Sequence, residues 1–308
     1  MLRYKVILNP AAGRGTARAQ LPFVRQALEG YGLSIDVAET ARPGHALDLA
    51  RQAVADNFDV IVAGGGDGTV NETINGMMQA KQQGLGRAAL AVIPLGRGND
   101  FAASMGVGAD WQRACLAVGE NHRRWIDIGR SVGEFYPDGR YFGNGVGIGF
   151  DAVVGFQAAK MAHISDSSYV VAAIKTIFLY FKAPEVQLVV DGQTSTLPCL
   201  MINIMNGRRL GGKFWMTPNA KPDDGIMDLC IARQVSRLEI LKIMPLYQSG
   251  TQHTHPAIRT MHGKRVTITA LKGTLPAHAD GETLCTEGHH LEIEILPHQL
   301  ELIIPQDA

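Results

Sequence analysis

Several things are scarce in this chain, and each scarcity closes off a class of function. Aromatic residues are 6% and charged residues 19% of the 308 positions. Lys+Arg and Asp+Glu each number 29, so neither sign is in surplus. That balance excludes a strongly basic nucleic-acid binder and an acidic tail, while leaving room for a local basic patch. The cysteines Cys115, Cys199, Cys230 and Cys285 form no CxxC pair, which argues against a disulfide framework or a zinc ribbon. The first residues, MLRYKVILNP, lack the apolar core of a signal peptide. The longest apolar stretch, Tyr169 to Phe181, is interrupted by Lys175 and is too short to span a bilayer. A soluble, reduced, cytoplasmic protein is expected, with no nucleic acid among its partners.

What is present is apolar material and glycine. Hydrophobic residues at 46% suffice for a sizeable core, and the length suggests about two domains at roughly 150 residues each. The 35 glycines exceed the usual share of roughly 7% and imply tight turns and close backbone approaches. In the first part of the chain, apolar runs alternate with helical spacing. Val6 to Leu8, Ser34 to Ala38, Asp59 to Ala63 and Leu90 to Ile93 read as strands. Leu21, Val24, Leu28 and Tyr31, then Ala46 to Ala55, then Val70 to Met78, read as helices. Such alternation predicts a parallel sheet covered on both faces. After about Asp127, strand-like runs dominate: Tyr141 to Gly145, Val186 to Asp191, Leu197 to Met205, Met227 to Ala232, Val266 to Ala270 and Leu291 to Leu296. Helical patterns there are confined to Ser167 to Phe181 and Arg237 to Tyr247. The expected fold is an α/β domain over residues 1–128 followed by a mostly antiparallel β domain over 129–308. The last residues are candidates to return to the first domain.

In open α/β sheets, ligands bind beyond the carboxyl ends of the strands. Three glycine-rich turns fall at such ends: Asn9 to Gly15, Gly64 to Thr69, and Gly96 to Asn99. Each lets backbone N–H groups approach an anion, and each precedes a helix start that favours phosphate. Three such turns suggest a polyphosphate site. There is no GxxxxGK[ST] P-loop and no GxGxxG after the first strand. The second turn instead carries Asp67 inside its glycines, a placement that suits a Mg²⁺ ion bridging phosphates. A capped ordinary turn is the plainer alternative.

These segments together resemble the diacylglycerol kinase catalytic domain. They are Asn9-Pro10-Ala11-Ala12-Gly13, Gly65-Gly66-Asp67-Gly68-Thr69-Val70-Asn71-Glu72, and Pro94-Leu95-Gly96-Arg97-Gly98-Asn99-Asp100-Phe101-Ala102. The resemblance continues through Gly147 to Ala152, Gly211-Gly212-Lys213, Pro218-Asn219-Ala220, Asp223 to Asp228 and Asp280-Gly281-Glu282. The family includes soluble bacterial diacylglycerol kinases and the sphingosine and ceramide kinases. It implies an N-terminal α/β nucleotide-binding domain like those of NAD kinases and phosphofructokinases, and a C-terminal antiparallel β-sandwich-like domain. It also implies ATP as cosubstrate, in a cleft between the two, with Mg²⁺ and transfer of the γ-phosphoryl group to a lipid hydroxyl.

The resemblance carries over to residues one by one. Asn9, Gly13 and Thr40 match nucleotide contacts. Gly66, Asp67, Gly68, Thr69, Val70, Asn71 and Glu72 match the main phosphate-binding turn and its helix, with Asp67 the candidate for catalytic Mg²⁺ handling. Arg97 and Asn99 fall on the third nucleotide turn, where the family usually carries Thr or Ser in place of Arg97. Asp100 either organises that turn or caps a helix. Glu282 matches the general base. Asp280 would share its side if the segment is extended, giving a carboxylate pair; a hairpin turn is the alternative. Lys221 and Ile226 carbonyls with the Asp224 carboxylate match a structural Mg²⁺ site, to which Asp127 is linked.

Expected partners are a lipid substrate at the membrane surface and, through it, peripheral membrane contact; a homodimer is a further candidate state. Arg208, Arg209 and Lys213 could face anionic headgroups but read more simply as solvated charges. His253 and His255 lack a third ligand at a recognisable spacing, and His289-His290 is similar. The leading expectation is a kinase for diacylglycerol. Alternatives are a kinase for phosphatidylglycerol or a sphingoid base, a soluble NAD kinase-like phosphotransferase, or a non-enzymatic nucleotide or lipid sensor with Arg97 marking lost turnover.

Overall fold

A computed structural model describes residues 2–161 and 183–307. The helix expected over Ser167 to Phe181 lies outside the described residues. The chain forms two compact units, one of residues 1–128 and 297–308, the other of residues 129–296.

In the first unit the apolar runs form β1 (Tyr4–Leu8), β2 (Ile35–Glu39), β3 (Val60–Gly65) and β4 (Ala89–Pro94). They pair in parallel in the order β2-β1-β3-β4. The helices between them are α1 (Thr16–Gly30), α2 (His45–Ala55) and α3 (Asp67–Gln82). Every residue of β3 and β4 is buried, as continuous apolar runs require in a sheet covered on both faces. The helical spacing places Val24 and Leu28 of α1 in the core, while Tyr31 falls just past the helix end and is exposed.

Two short helices follow, α4 (Asp100–Ser104) and α5 (Trp111–Glu120). The expectations above omit α5, although its ends are marked in the sequence. The Asp110 carboxylate accepts N–H bonds from Gln112 and Arg113, and Asn121 ends the helix in a left-handed conformation.

The second unit is antiparallel. Strand β5 (Arg123–Gly133) enters it and pairs with β6 (Tyr136–Phe142). Next come β7 (Gly145–Gly149), α6 (Phe150–Met161), β8 (Glu185–Val190) and β9 (Gln193–Met205). The single strand expected over Tyr141 to Gly145 is instead the junction of β6 and β7. The amides of Gly143, Asn144 and Gly145 there turn to a side chain rather than to one ladder.

The first half of β9 pairs with β8, and its second half pairs with β7 and with β12 (Met227–Arg233). One strand thus serves two sheets, and Pro198, which cannot donate to a ladder, lies near the change of partner. Between β9 and β12 lies a small ribbon, β10 (Arg209–Leu210) and β11 (Phe214–Trp215). Helix α7 (Arg237–Ser249) leads to β13 (Ile258–Gly263), β14 (Arg265–Lys272), β15 (Leu275–Ala279), β16 (Glu282–Gly288) and β17 (His290–Ile303).

Alternation along β9 decides the layers. Ile202 and Ile204 join a core with Leu188, Leu229 and Ile268. Met201 and Met205 face a second cluster with Phe150, Val154 and Tyr247. The C-terminal half of β17 belongs to the first unit, where Leu302 pairs with Leu90 of β4.

All four cysteines are free and buried. Burial pushes the thiols of Cys115 and Cys199 up to about 12 and those of Cys230 and Cys285 up to about 11.

Candidate active site

In the first unit the three glycine-rich turns converge at the carboxyl ends of β1, β3 and β4. Gly13 has a left-handed φ of +58°, and a Cβ there would lie 2.8 Å from the Leu95 carbonyl. A Cβ on Gly66 would lie 3.2 Å from the Cα of Gly96, and one on Gly98 would lie 2.9 Å from Asp67 Oδ2. Backbone therefore meets backbone where side chains would not fit.

Polar side chains lock the approach. Asn9 Nδ2 donates to Thr69 Oγ1 at 3.1 Å, while Asn9 Oδ1 accepts the Ala11 N–H. Asn99 holds both polar groups of Gly96, accepting its N–H at 3.1 Å and donating to its carbonyl at 3.0 Å. Asp67 Oδ1 accepts the Phe101 N–H at 3.0 Å, tying the second turn to the first turn of α4. The N–H of Thr40 donates to the Leu8 carbonyl, setting Thr40 beside the start of the first turn.

Helix α3 starts at Asp67 without a side-chain cap, and its first-turn amides have no intrahelical acceptors. Gly66, Asp67 and Gly68 are half-buried at that start and Arg97 is exposed. A nucleotide's phosphates fit this cradle, because added side chains would fill it and the uncapped helix end favours an anion.

Three residues of the matched turn do something else. Glu72 accepts N–H bonds from Gly44 at 2.7 Å and Ala46 at 3.0 Å, so its carboxylate caps the N-terminus of α2. Val70 is buried in the core at 3% exposure, and Asn71, at 0%, accepts from Asn75. These three side chains are engaged in the fold, as a helix cap, a core residue and a buried amide pair. A single helix face cannot be read from a motif: Val70, Asn71 and Glu72 are consecutive in α3, each turned about 100° from the one before, so they point different ways. Asp100 is buried in the first turn of α4.

In the second unit Asp280 lies in, and Glu282 directly after, a tight turn between β15 and β16, where Ala279 pairs with Glu282. Asp280 is left-handed at φ +49° and Gly281 at +89°, the signature of a two-residue hairpin. The segment is not extended, so the expected carboxylate pair does not form. Asp280 instead accepts from the amides of Gly143 at 2.8 Å, Asn144 at 3.0 Å and Gly145 at 2.8 Å. Glu282 is half-exposed, and its Oε2 lies 3.7 Å from the guanidinium of Arg140, which also donates to the Tyr136 hydroxyl.

Asp224 Oδ1 accepts the Ile226 N–H in an exposed turn that also carries Lys221. No group of three or more His, Cys, Asp or Glu side chains among the described residues is placed to hold a metal. A Mg²⁺ ion fits this turn only through one carboxylate with backbone carbonyls and retained waters, a donor set such an ion accepts. Burial raises the carboxyl pKa of nearby Asp228, opposed by His262 at 3.1 Å. Asp127 is fully buried and accepts the His298 N–H at 2.7 Å, pinning the returning end of β17.

The basic residues expected as solvated charges are partly tied down. Arg208 Nε donates to the Ala220 carbonyl and Arg209 to the Gly212 carbonyl, with Arg209 also over the Trp215 ring. His255 lies 3.6 Å from Glu239 and His290 3.3 Å from Glu292. Among the described residues no helix is long and apolar enough to cross a membrane.

Comparison with known proteins matches residues 3–131 to the diacylglycerol kinase catalytic domain. Residues 144–304 match the YegS C-terminal NAD kinase beta sandwich-like domain. A Staphylococcus saprophyticus protein named diacylglycerol kinase is 27% identical over 290 residues, covering 91% of this chain and 88% of its own length. A Staphylococcus aureus protein of the same name is 29% identical, covering 91% of this chain and 86% of its own. A crystal structure of a diacylglycerol kinase from Bacillus anthracis aligns with a TM-score of 0.75 at 22% identity, covering 99% of this chain and 97% of that one. An ATP complex of an Archaeoglobus fulgidus NAD kinase aligns at 0.53 and 13% identity over 99% of this chain and 95% of its own, a likeness of fold. The expected α/β domain with an antiparallel β-sandwich is the architecture found.

Proposed function

Since this chain belongs to the diacylglycerol kinase family of lipid kinases, we propose that it transfers the γ-phosphoryl group of ATP to a lipid hydroxyl, with diacylglycerol as acceptor and phosphatidic acid as product. The observation that carries this reading is the cradle in the first unit, where the uncapped start of α3 meets glycines of two neighbouring turns. Phosphates would be bound by those amides, Asn9 and Asn99 would hold the turns in place, and Asp67 would meet the metal accompanying the nucleotide. Bound Mg²⁺ supplies neutralisation of phosphate charge. Glu282 would take the proton from the acceptor hydroxyl as its oxygen bonds to the γ-phosphorus and the bond to the β,γ-bridging oxygen breaks to release ADP, a service worth about 10² to 10⁴ in rate.

An apolar cavity in the second unit supports a lipid acceptor. It is lined by Phe150, Val154, Phe214, Met216, Ile243 and Met244 among others, surfaces suited to acyl methylenes and not to a dinucleotide. The test is incubation with labelled ATP and Mg²⁺ against diacylglycerol, phosphatidylglycerol, ceramide, sphingosine and NAD, with products resolved by thin-layer chromatography. Labelled phosphatidic acid above all other products is the expected result. Labelled NADP alone would replace this reading with a soluble-substrate kinase, and binding of ATP with no labelled product would replace it with a sensor.

A further inference from the structure

Across the second unit, three adjacent strands set Asn203, Gly147 and His278 in one row. Gly147 of β7 is the register partner of both Asn203 on β9 and His278 on β15. Asp151, in the first turn of α6, lays its carboxylate over the side-chain-free Gly147. Its Oδ2 accepts from Asn203 Nδ2 at 2.9 Å and lies 3.1 Å from His278 Nε2. A Cβ on Gly147 would overlap Asp151 Oδ2 and come within 2.5 Å of His278 Nε2, so the row works only with glycine at its centre. Asp151, His278 and Asn203 are 4%, 3% and 0% exposed.

The other nitrogen of His278 reaches the hairpin. Nδ1 accepts the Gly281 N–H at 3.2 Å. An accepting Nδ1 carries no proton, so the network assigns the neutral ring's proton to Nε2, from which it is donated to Asp151. Gly281 immediately precedes Glu282. The same turn is gripped on its other side by the Asp280 carboxylate on the Gly143, Asn144 and Gly145 amides. An Asp-Gly pair favours a hairpin by its own backbone geometry and does not call for a buried ionisable pair beneath it. Burying such a pair is costly, so its presence in an apolar sheet calls for another use.

We infer that His278, oriented by Asp151 and Asn203, is a positioning residue for Glu282: it fixes the Gly281 peptide and with it the direction in which the base presents its carboxylate. This rests on the reading of Glu282 as the base, and the experiment separates the two. Misplacing a catalytic group by about 1 Å costs roughly 10²-fold in rate. His278→Gln retains a donor for Asp151 and loses the acceptor for Gly281, so kcat is expected to fall roughly 10- to 100-fold with ATP affinity and thermal midpoint near wild type. His278→Asn keeps an acceptor where Nδ1 stood and should recover most of that loss.

Single-turnover transfer is measured on wild type, His278→Gln, Glu282→Gln and the double variant. If His278 acts through Glu282, adding His278→Gln to Glu282→Gln costs almost nothing more. Losses that multiply, or normal turnover in His278→Gln beside an inactive Glu282→Gln, would overturn the positioning role while leaving the base in place. Near-normal turnover in Glu282→Gln would instead remove the base reading itself. A long-range ¹⁵N–¹H spectrum of the wild-type histidines needs no variant to fold: a protonated Nε2 with a bare Nδ1 at His278 is expected, and a proton on Nδ1 would dismiss the relay.

Discussion

The two units build their functional turns by opposite means. In the first, the glycine-rich turns act through backbone: Gly66 packs on Gly96, Gly13 on the Leu95 carbonyl, and α3 starts without a side-chain cap. In the second, the Asp280–Gly281 turn is braced by groups distant in sequence. The amides of residues 143–145 reach Asp280 across more than 130 positions, and His278 is oriented by Asp151, 127 positions away. A site made of backbone needs only local glycines and a helix start. A site that aims one carboxylate needs partners from several strands, and those partners are meaningful only once the sheet is assembled.

The sharpest way to break this contrast is at Asp67, the one side chain on which the first unit's proposed chemistry leans. Asp67→Asn keeps an acceptor for the Phe101 N–H and removes the charge, so the fold should persist while activity falls by roughly 10³-fold or more. A folded variant within tenfold of wild-type kcat would leave the cradle without a metal-handling carboxylate.

The second unit is tested at Asp280. Asp280→Ala strips the acceptor from three backbone amides, and stability is expected to fall by about 3 kcal/mol, read from denaturant midpoints. Asp280→Asn, with one acceptor oxygen left, should lose about half as much. Equal stability of Asp280→Ala and wild type would mean the turn is held by local geometry alone.

A slightly smaller effect concerns the proposed Mg²⁺ ion in the Asp224 turn. Without nucleotide, Mg²⁺ at a hundredfold excess over Kd should stabilise the protein by about 2.7 kcal/mol, and Asp224→Ala should abolish the gain. Identical thermal midpoints for wild type with and without the ion would count against it. The smallest effect is expected at Glu72. Glu72→Gln weakens the cap on α2 and should cost about 1 kcal/mol, with KM for ATP unchanged. A large rise in KM at unchanged stability would return Glu72 to the nucleotide site and blur the contrast between the units.

The parallel sheet of the first unit was legible because β3 and β4 are uninterrupted apolar runs, β3 ending in Gly64-Gly65 and β4 leading through Pro94-Leu95 into Gly96. The β-rich character of the second was legible from strand-like runs such as Val186 to Asp191 and Leu197 to Met205 separated by turn residues. Other elements carry quieter signals. Asp110 and Asn121 bracket α5 with ordinary helix ends. Helix α6 has no such pattern, being apolar around its circumference, and its first residues fall within Gly147 to Ala152, a motif without helical periodicity.

By itself the sequence determined where the chain can turn tightly, which runs are fully buried, and which short segments tie it to a kinase family, since these depend on neighbours a few residues apart. Only the tertiary structure decided what each polar side chain in those segments does. Glu72 sits in the phosphate-turn motif yet caps α2, because the helix rotates it away from Asp67 and toward Gly44. Asp280 sits beside Glu282 in the chain yet faces the amides of another strand, because a left-handed turn replaces the extended backbone that would have aligned them. His278, outside every motif, reaches Gly281 through a register that places it across Gly147 from Asn203. Hydrogen-bond partners are chosen by distance in space, and a linear pattern records only distance along the chain.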